Sequence, residues 1–280
     1  MKRIRIAMMM ITAAAAAMSA GCRTLGVEEE EPEAVINVIN IVASDTLVSG
    51  MVASLLPPSK ARVSAILPSA QCPGHYDIKL SDIEKVKTAD LIVSMKGLPF
   101  MAKAEIDENR LLLLDSRNRS AMVPDTYVDV LNMLAAELSA RFPEDGPEIE
   151  QRREEAVEAV FSEALKLQKR LVRAGVVAMP VLTASMQKET VEWMGFRVVG
   201  EYGRPETLTA KEVARLSKIA RDMNIALVAD NLQSGPDAGR GIAEALGVPH
   251  TALSNFPLED GYISALRANV DLVLDAVGAL

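Results

Sequence analysis

Residues 148–173, EIEQRREEAVEAVFSEALKLQKRLVR, decide the architecture of this chain. The stretch contains no glycine or proline, is dense in charge, and is followed closely by Gly175. Its apolar residues fall broadly on one stripe at helical spacing: Val157, Val160, Phe161, Ala164, Leu165, Leu167 and Leu171. The pattern predicts one helix of roughly 25 residues, about 38 Å long, which a glycine ends. A helix of this length in mid-chain predicts a connector between two halves.

Strand-like and helix-like segments alternate on both sides of this helix. Before it, apolar runs predict strands at 34–43, 62–67, 91–94 and 111–115, with helices at 45–56 (Asp45 as N-cap), from 81 and at 127–141. After it, strands are predicted at 176–182, 197–202 and 225–229, with helices at 187–194, 209–223, 236–246 and 262–277. Such alternation predicts mainly parallel sheets covered on both faces. We therefore predict an α/β protein of two lobes, 34–146 and 175–280, each a mainly parallel sheet flanked by helices and joined by the rigid helix 147–174.

The amino-terminal residues predict export and anchoring. Three cations in the first five residues precede an apolar run at 7–18, which is shorter than the ~20 residues of a spanning helix, and then Cys22. This order is typical of a signal peptide, 1–21, with Cys22 acylated as the first residue of a lipoprotein. Ordinary cleavage nearby, leaving a free thiol, is the alternative. Residues 22–33, with four consecutive glutamates, predict a solvated tether, so we expect a cell-envelope or periplasmic protein anchored to a membrane.

Charge and cysteine content exclude several classes of function. The net charge is −8, and the first 21 residues carry three cations and no acid, so the mature chain lies three charges lower, near −11. A nucleic-acid binder needs a basic stripe instead. With Cys22 acylated, Cys72 has no partner for an intramolecular disulfide, although an oxidising compartment would permit one. Phosphate loops, nucleophile elbows and paired-histidine motifs are missing from the sequence, so we do not expect an enzyme.

Short motifs occur in the order typical of one receptor family. They are Ile66-Leu67-Pro68, Gly74-His75-Tyr76-Asp77, Leu80-Ser81-Asp82, 89–93 (ADLIV), Gly97-Leu98, 191–199 (VEWMGFRVV), Leu208–Val213, and Gly261-Tyr262 with Asn269. With these motifs the sequence resembles the zinc- and manganese-type (ZnuA/TroA-like, cluster A-I) periplasmic solute-binding proteins of ABC transporters. The resemblance implies a transition-metal ion, zinc or manganese, as the transported ligand, a membrane permease as the partner, and a monomer.

The metal site that the resemblance implies cannot be complete in this chain. In the family, three histidines and one carboxylate hold the metal between the lobes, and the corresponding positions here are His75, Arg119, Ala184 and Asn255. The chain has only two histidines, His75 and His250. A three-histidine site is therefore absent or rebuilt.

Softer ligands suggest how such a site could be rebuilt. Cys72 and His75 lie three residues apart in one Pro-Gly loop, so both could reach one zinc, copper(I) or other thiophilic ion. The alternative is a buried thiol beside a hydrogen-bonded imidazole. Met122 and Met186 lie near the second and third ligand positions, where core packing is the alternative role.

Other residues suggest a different ligand or none. Arg119 in a cleft would clamp a carboxylate or phosphate, and as a surface residue it would bind nothing. Asp230, with Asn231, follows a predicted strand, where open α/β sheets bind ligands, or it caps a loop. His250 is interpreted as structural. Three functions thus remain open: a metal receptor for a permease, the same fold with a chelate or organic anion, and a scaffold with a decayed site.

Overall fold

The computed structural model describes residues 38–235, 237–257 and 260–278. The predicted signal peptide, Cys22 and the tether fall outside the described residues. Within those residues, no helix combines the length and apolar character that crossing a membrane requires.

The amino-terminal lobe is a four-stranded parallel sheet flanked by helices. Its strands follow the order β2-β1-β3-β4: β1 (Ile39–Asp45), β2 (Ala61–Leu67), β3 (Leu91–Met95) and β4 (Leu111–Leu114). Its helices are α1 (Thr46–Leu55), α2 (Leu80–Thr88) and α3 (Pro124–Arg141). Asp45 caps α1 as predicted, because its Oδ1 accepts the Val48 N–H at 3.0 Å and so satisfies a donor that the first helical turn leaves open.

The connecting helix α4 (Gly146–Arg173) contains 28 residues. Val160, Ala164, Leu167 and Leu171 form its buried stripe, as the helical period requires. Phe161 and Leu165 were wrongly assigned to that stripe: they are 41% and 53% exposed. Each follows a buried residue by one position, which turns its side chain by about 100° around the helix.

The carboxy-terminal lobe repeats the topology of the first. Its strands follow the order β6-β5-β7-β8, all parallel: β5 (Pro180–Ala184), β6 (Arg197–Tyr202), β7 (Leu227–Asn231) and β8 (His250–Leu253). Its helices are α5 (Lys188–Trp193), α6 (Ala210–Met223), α7 (Asp237–Leu246) and α8 (Gly261–Ala276). The prediction of two parallel α/β lobes joined by one long helix is confirmed.

Two predicted strands of this lobe begin later than expected. We placed the first at 176–182, but the left-handed backbone at Gly175 (φ 72°) and Ala178 (φ 64°) keeps the chain in turns, and β5 begins at Pro180. We placed the third at 225–229, whereas β7 begins at Leu227 and ends at Asn231. Asp230 is therefore a strand residue rather than a loop residue.

One apolar core runs through both lobes. Alternate strand residues face opposite sides of a sheet, and Ile41 of β1 and Val181 of β5 belong to the same buried cluster, together with Leu167 of α4 and Leu266 of α8. The opposite faces of the two sheets pack into separate clusters, one per lobe. The shared core and α4 therefore hold the lobes to each other on one side and leave a cleft at the strand ends.

Candidate functional site

A cleft of about 460 Å³ lies where the two lobes face each other. The carboxyl end of each of the eight strands, or the segment that follows it, contributes at least one residue to its lining. Parallel α/β sheets bind ligands at this edge, where the strand order reverses. The fold thus directs both of its sheets at a single site.

Cys72 lies in the lining on the amino-terminal side. It is a half-buried free thiol in the loop that also contributes Pro73 and Gly74 to the cleft. Asp45 lines the same wall, but it is 1% exposed and its carboxylate accepts hydrogen bonds from Ser44 Oγ and the Val48 N–H. Burial raises the pKa of Asp45, and these hydrogen bonds oppose the rise.

His75 lies outside the cleft lining, although it follows Gly74 directly. Its Nε2 is 3.2 Å from Oε1 of Glu206 in the other lobe, and its side chain is 57% exposed. The imidazole therefore forms a surface contact between the lobes, and the structure does not bring it together with Cys72 inside the cleft.

Arg119 and Met122 lie in the segment that follows β4, and both line the cleft. Arg119 Nη2 is 2.6 Å from Oδ2 of Asp129, and the arginine side chain is 40% exposed. Met122 is almost fully buried, and its carbonyl oxygen accepts the hydroxyl of Tyr262 at 3.0 Å. Arg119 is thus held at the rim, while Met122 belongs to the packed wall behind it.

An amide network forms the carboxy-terminal wall. Asn255 lines the cleft with Asn231. The buried Gln187 Nε2 lies 3.0 Å from Asn231 Oδ1, 3.0 Å from the Leu253 carbonyl and 2.8 Å from Asn255 Oδ1. Its Oε1 is the buried side-chain atom without a partner among the described residues. A neutral N–H donor therefore occupies the oxygens that could have faced a cation.

The remaining predicted cleft residues separate into two groups. Met186 lines the cleft and is 55% exposed, so it is not a core residue. Ala184 and Asp230 border a smaller cavity of about 120 Å³ instead. Asp230 accepts hydrogen bonds from the Tyr202 hydroxyl and the Gly239 N–H, each at 2.8 Å. Nε2 of His250 also lies 2.8 Å from its carboxylate. The structural interpretation of His250 agrees with this buried network.

Solved structures of other proteins share this two-lobe architecture. Three solved structures align over 85–86% of this chain. ZnuA aligns over 100% of its own length at 16% identity and a TM-score of 0.72. FpvC of Pseudomonas aeruginosa, solved with Ni2+, aligns over 97% of its own length at 15% identity and a TM-score of 0.72. The laminin-binding protein of Streptococcus agalactiae is described as having adhesin and metal transporting activity. It aligns over 99% of its own length at 14% identity and a TM-score of 0.71.

The chain has the ZnuA-like solute-binding-protein fold. No protein-family model matches it, and no curated protein matches it by sequence. At identities of 14–16% the likeness establishes the fold and leaves the ligand to be argued from the side chains.

In this ZnuA-like fold, several cleft residues escaped sequence reasoning. Lys96, Glu189 and Arg204 line the cleft, and each follows a strand end in a different part of the chain. Glu189 Oε2 accepts the Ser120 N–H from the opposite lobe at 2.6 Å. The signal that could have found these residues is their position after β3, β5 and β6, since all parallel strands end at the same edge.

The donor set of the cleft differs from that of a histidine-rich metal site. Across the parts of the chain that the structure describes, no group of three His, Cys, Asp or Glu side chains is arranged to hold an ion. The cleft instead combines one thiol and the two carboxylates of Asp45 and Glu189 with amides, hydroxyls and three cationic side chains. Such a lining can bind an oxygen-rich molecule by hydrogen bonds and charge.

Proposed function

We propose that this protein is the extracytoplasmic solute-binding component of an ABC importer, which binds a transition-metal solute between its lobes and delivers it to a membrane permease. The observation that carries the proposal is the cleft at the carboxyl ends of both sheets, bridged by one long helix. Its ZnuA-like fold supports a binding protein rather than an enzyme. The metal-binding descriptions of this chain's fold neighbours support a metal as the cargo class.

The cargo would reach the cleft as an ion or inside a small complex. A sulfur ligand from Cys72 would favour zinc, copper(I) or another thiophilic ion over manganese, and Met186 contributes a thioether to the same cleft. His75 would have to leave Glu206 and turn inward to ligate. The side chains therefore support a softer or differently presented metal than a three-histidine site would select.

Release would follow from small movements at the cleft. The shared core and α4 tie the lobes together, so wide hinge closure is opposed by buried apolar contacts. Polar contacts also cross between the lobes, including Thr46 Oγ1 to the Pro257 carbonyl at 2.7 Å and Gln233 Nε2 to the Ser69 carbonyl at 2.7 Å. Loop shifts at such contacts, triggered by the permease, would open the site.

The amino-terminal residues supply the location in this proposal. Residues 1–21 would be removed as a signal peptide, Cys22 would be acylated, and 22–33 would form the tether that keeps lobes 34–146 and 175–280 clear of the bilayer. The receptor acts as a monomer beside its permease. Mass spectrometry of the mature amino-terminal peptide tests the anchor: we expect an acylated Cys22, and a free amino-terminal cysteine or cleavage elsewhere would refute it.

A scaffold with a decayed site is the weaker alternative. Loss of ligand binding would allow apolar side chains to fill the cleft, since nothing would keep it open. The volume of about 460 Å³ instead falls within the roughly 300–1,000 Å³ of small-molecule sites. A polar lining and an open volume support a receptor that still has a ligand.

Elemental analysis tests the proposed cargo. Protein isolated from its own envelope without chelators should carry a transition metal near one atom per chain, and native mass spectrometry should show whether a small molecule accompanies it. Cys72→Ser should reduce the metal content if the thiolate ligates, whereas Arg62→Gln, an exposed residue at the opposite end of β2, serves as the control. Metal-free protein that shows no thermal shift with Zn(II), Mn(II), Ni(II) or Cu(I), alone or with citrate, would overturn the proposal.

A further inference from the structure

The cleft of this acidic chain is lined by more cations than free carboxylates. Lys96, Arg119 and Arg204 face two acids, Asp45 and Glu189. Asp45 is buried with a raised pKa, and Glu189 already accepts a backbone N–H. A bare dication entering this cleft would be repelled by these side chains, above all by Arg204, because Lys96 and Arg119 are each paired with an acid outside the lining, whereas an anion would be attracted.

Arg204 has a position unlike that of the other two cations. Lys96 Nζ is 3.1 Å from Asp115 and Arg119 Nη2 is 2.6 Å from Asp129, and neither of these acids lines the cleft. For Arg204, the described residues include no carboxylate at ion-pairing distance. Its guanidinium is therefore the cleft cation that no described acid neutralises.

Glycine at position 74 lets Arg204 reach across the cleft. A Cβ atom on Gly74 would lie 2.6 Å from Nη2 and 2.7 Å from Nη1 of Arg204, which is inside van der Waals contact. The guanidinium thus lies directly against the backbone of the opposite lobe. Because Arg204 borders both the large and the small cavity, it is held between the lobes rather than pointing into open solvent.

The rest of the lining complements an oxygen-rich molecule. Asn118 supplies an amide, and Ser116 and Ser234 supply hydroxyls, all able to donate hydrogen bonds. Guanidinium groups bind carboxylates and phosphates through paired N–H donors. A volume of about 460 Å³ suits a molecule of this kind and far exceeds what a bare ion requires.

We propose that the cleft binds an anionic ligand that carries carboxylate or phosphate oxygens, free or as its metal complex, and that Arg204 seated on Gly74 is the residue that grips it. The inference rests on the proposed receptor function and names the chemical class of its solute. Arg119 forms the second cationic arm at the rim.

Calorimetry on the purified full-length protein in detergent tests the proposal with three probes: Zn(II) alone, citrate alone, and citrate with equimolar Zn(II). We expect a citrate-containing probe to bind the wild type, and the citrate arms distinguish a free anion from a complex. Arg204→Gln should weaken that binding roughly 10- to 100-fold, since it removes a charged hydrogen-bonding partner. Arg62→Gln is the matched control, because it removes the same charge from an exposed residue at the opposite end of β2.

A second variant tests the seat of Arg204 without changing any charge. In Gly74→Ala the new methyl group would displace the guanidinium, which as the end of a flexible side chain can move aside without unfolding the lobe. We expect weaker citrate binding with an unchanged circular dichroism spectrum. Gly50→Ala, where a Cβ meets no atom within 4 Å, is the control and should bind as the wild type does.

The outcomes separate the two proposals. Zn(II) alone binding equally well to wild type and Arg204→Gln, with no response to citrate, would overturn the anionic ligand and keep the metal receptor. Citrate binding that Arg204→Gln and Gly74→Ala leave unchanged would overturn the role of Arg204. A wild type that ignores all three probes would count against both.

Discussion

Two stacked tyrosines between the lobes allow a sharp test of how the cleft wall around Met122 is supported. Tyr262 of α8 stacks on Tyr127 of α3 with ring centroids 3.7 Å apart. The Tyr262 hydroxyl donates to the Met122 carbonyl at 3.0 Å, and thereby ties the carboxy-terminal helix to the segment that lines the cleft. No side-chain hydrogen bond from the Tyr127 hydroxyl is found in the described part of the chain. The hydroxyls of the two tyrosines therefore differ in this side-chain hydrogen bond.

Tyr262→Phe removes that hydrogen bond and keeps the stack. The Met122 carbonyl would be left unsatisfied in a buried position, which costs about 1–3 kcal/mol of unfolding free energy. For a folded region of this size, each kcal/mol lowers the melting temperature by about 2–4 °C, so a mid-range loss of about 2 kcal/mol corresponds to roughly 4–8 °C. Tyr127→Phe deletes the same atom from the partner ring, and we expect a change within about 0.5 kcal/mol.

Urea unfolding at pH 7, followed by far-ultraviolet circular dichroism, measures both variants against the wild type. The midpoint should fall in Tyr262→Phe at an unchanged slope, because the surface exposed on unfolding stays the same. Equal losses in the two variants would show that the stack, and not the hydrogen bond to Met122, supports this contact. No loss in either variant would refute the reasoning altogether.

Two further predictions use matched or pH-dependent comparisons. Gly239→Ala should destabilise the protein by about 1–3 kcal/mol through overpacking, because its Cβ would overlap the Asp230 carboxylate. Gly241 lies in the same helix, but a Cβ there meets no atom within 4 Å, so Gly241→Ala should stabilise the protein by about 0.5–1 kcal/mol. Thermal melts in which both variants shift the melting temperature in the same direction would contradict this prediction. The hydrogen bond from Arg267 lowers the pKa of Glu163 from 4.5 to about 2, so its stabilisation is complete above pH 4.5 and is lost as the pH falls towards 2. The difference in urea midpoint between wild type and Glu163→Gln should therefore shrink from pH 7 to pH 3, and a difference independent of pH would exclude the ion pair as its source.

Local patterns predicted most of the secondary structure because their causes are local. Asp45 caps the helix that follows it as predicted, since a cap involves only the next three residues. The connecting helix followed from its period and from the missing glycine and proline. Its exposed residues, Phe161 and Leu165, did not, because burial depends on which side α1, α3 and α8 cover.

The candidate site was only partly predictable for a related reason. The histidine count alone excluded the standard metal site. Cys72, proposed from the sequence as a metal ligand, and Arg119, proposed as a cleft residue, both line the cleft. The direction of His75 was not predictable: its loop packs against the opposite lobe, and Glu206 there binds the imidazole. A motif in sequence specifies a loop, but the facing lobe selects which of its side chains enter the cavity.

The sequence by itself determined the alternation of strands and helices, the single long connector and the absence of a three-histidine site, because composition and periodicity act within a few residues. Only the tertiary structure decided that Arg204 would cross to Gly74, that Gln187 would occupy the oxygens of Asn231 and Asn255, and that the cleft would be cationic in an acidic chain. Those residues are far apart in sequence. They meet because parallel strands end at one edge of each sheet, and the packing of two lobes on α4 brings both edges together.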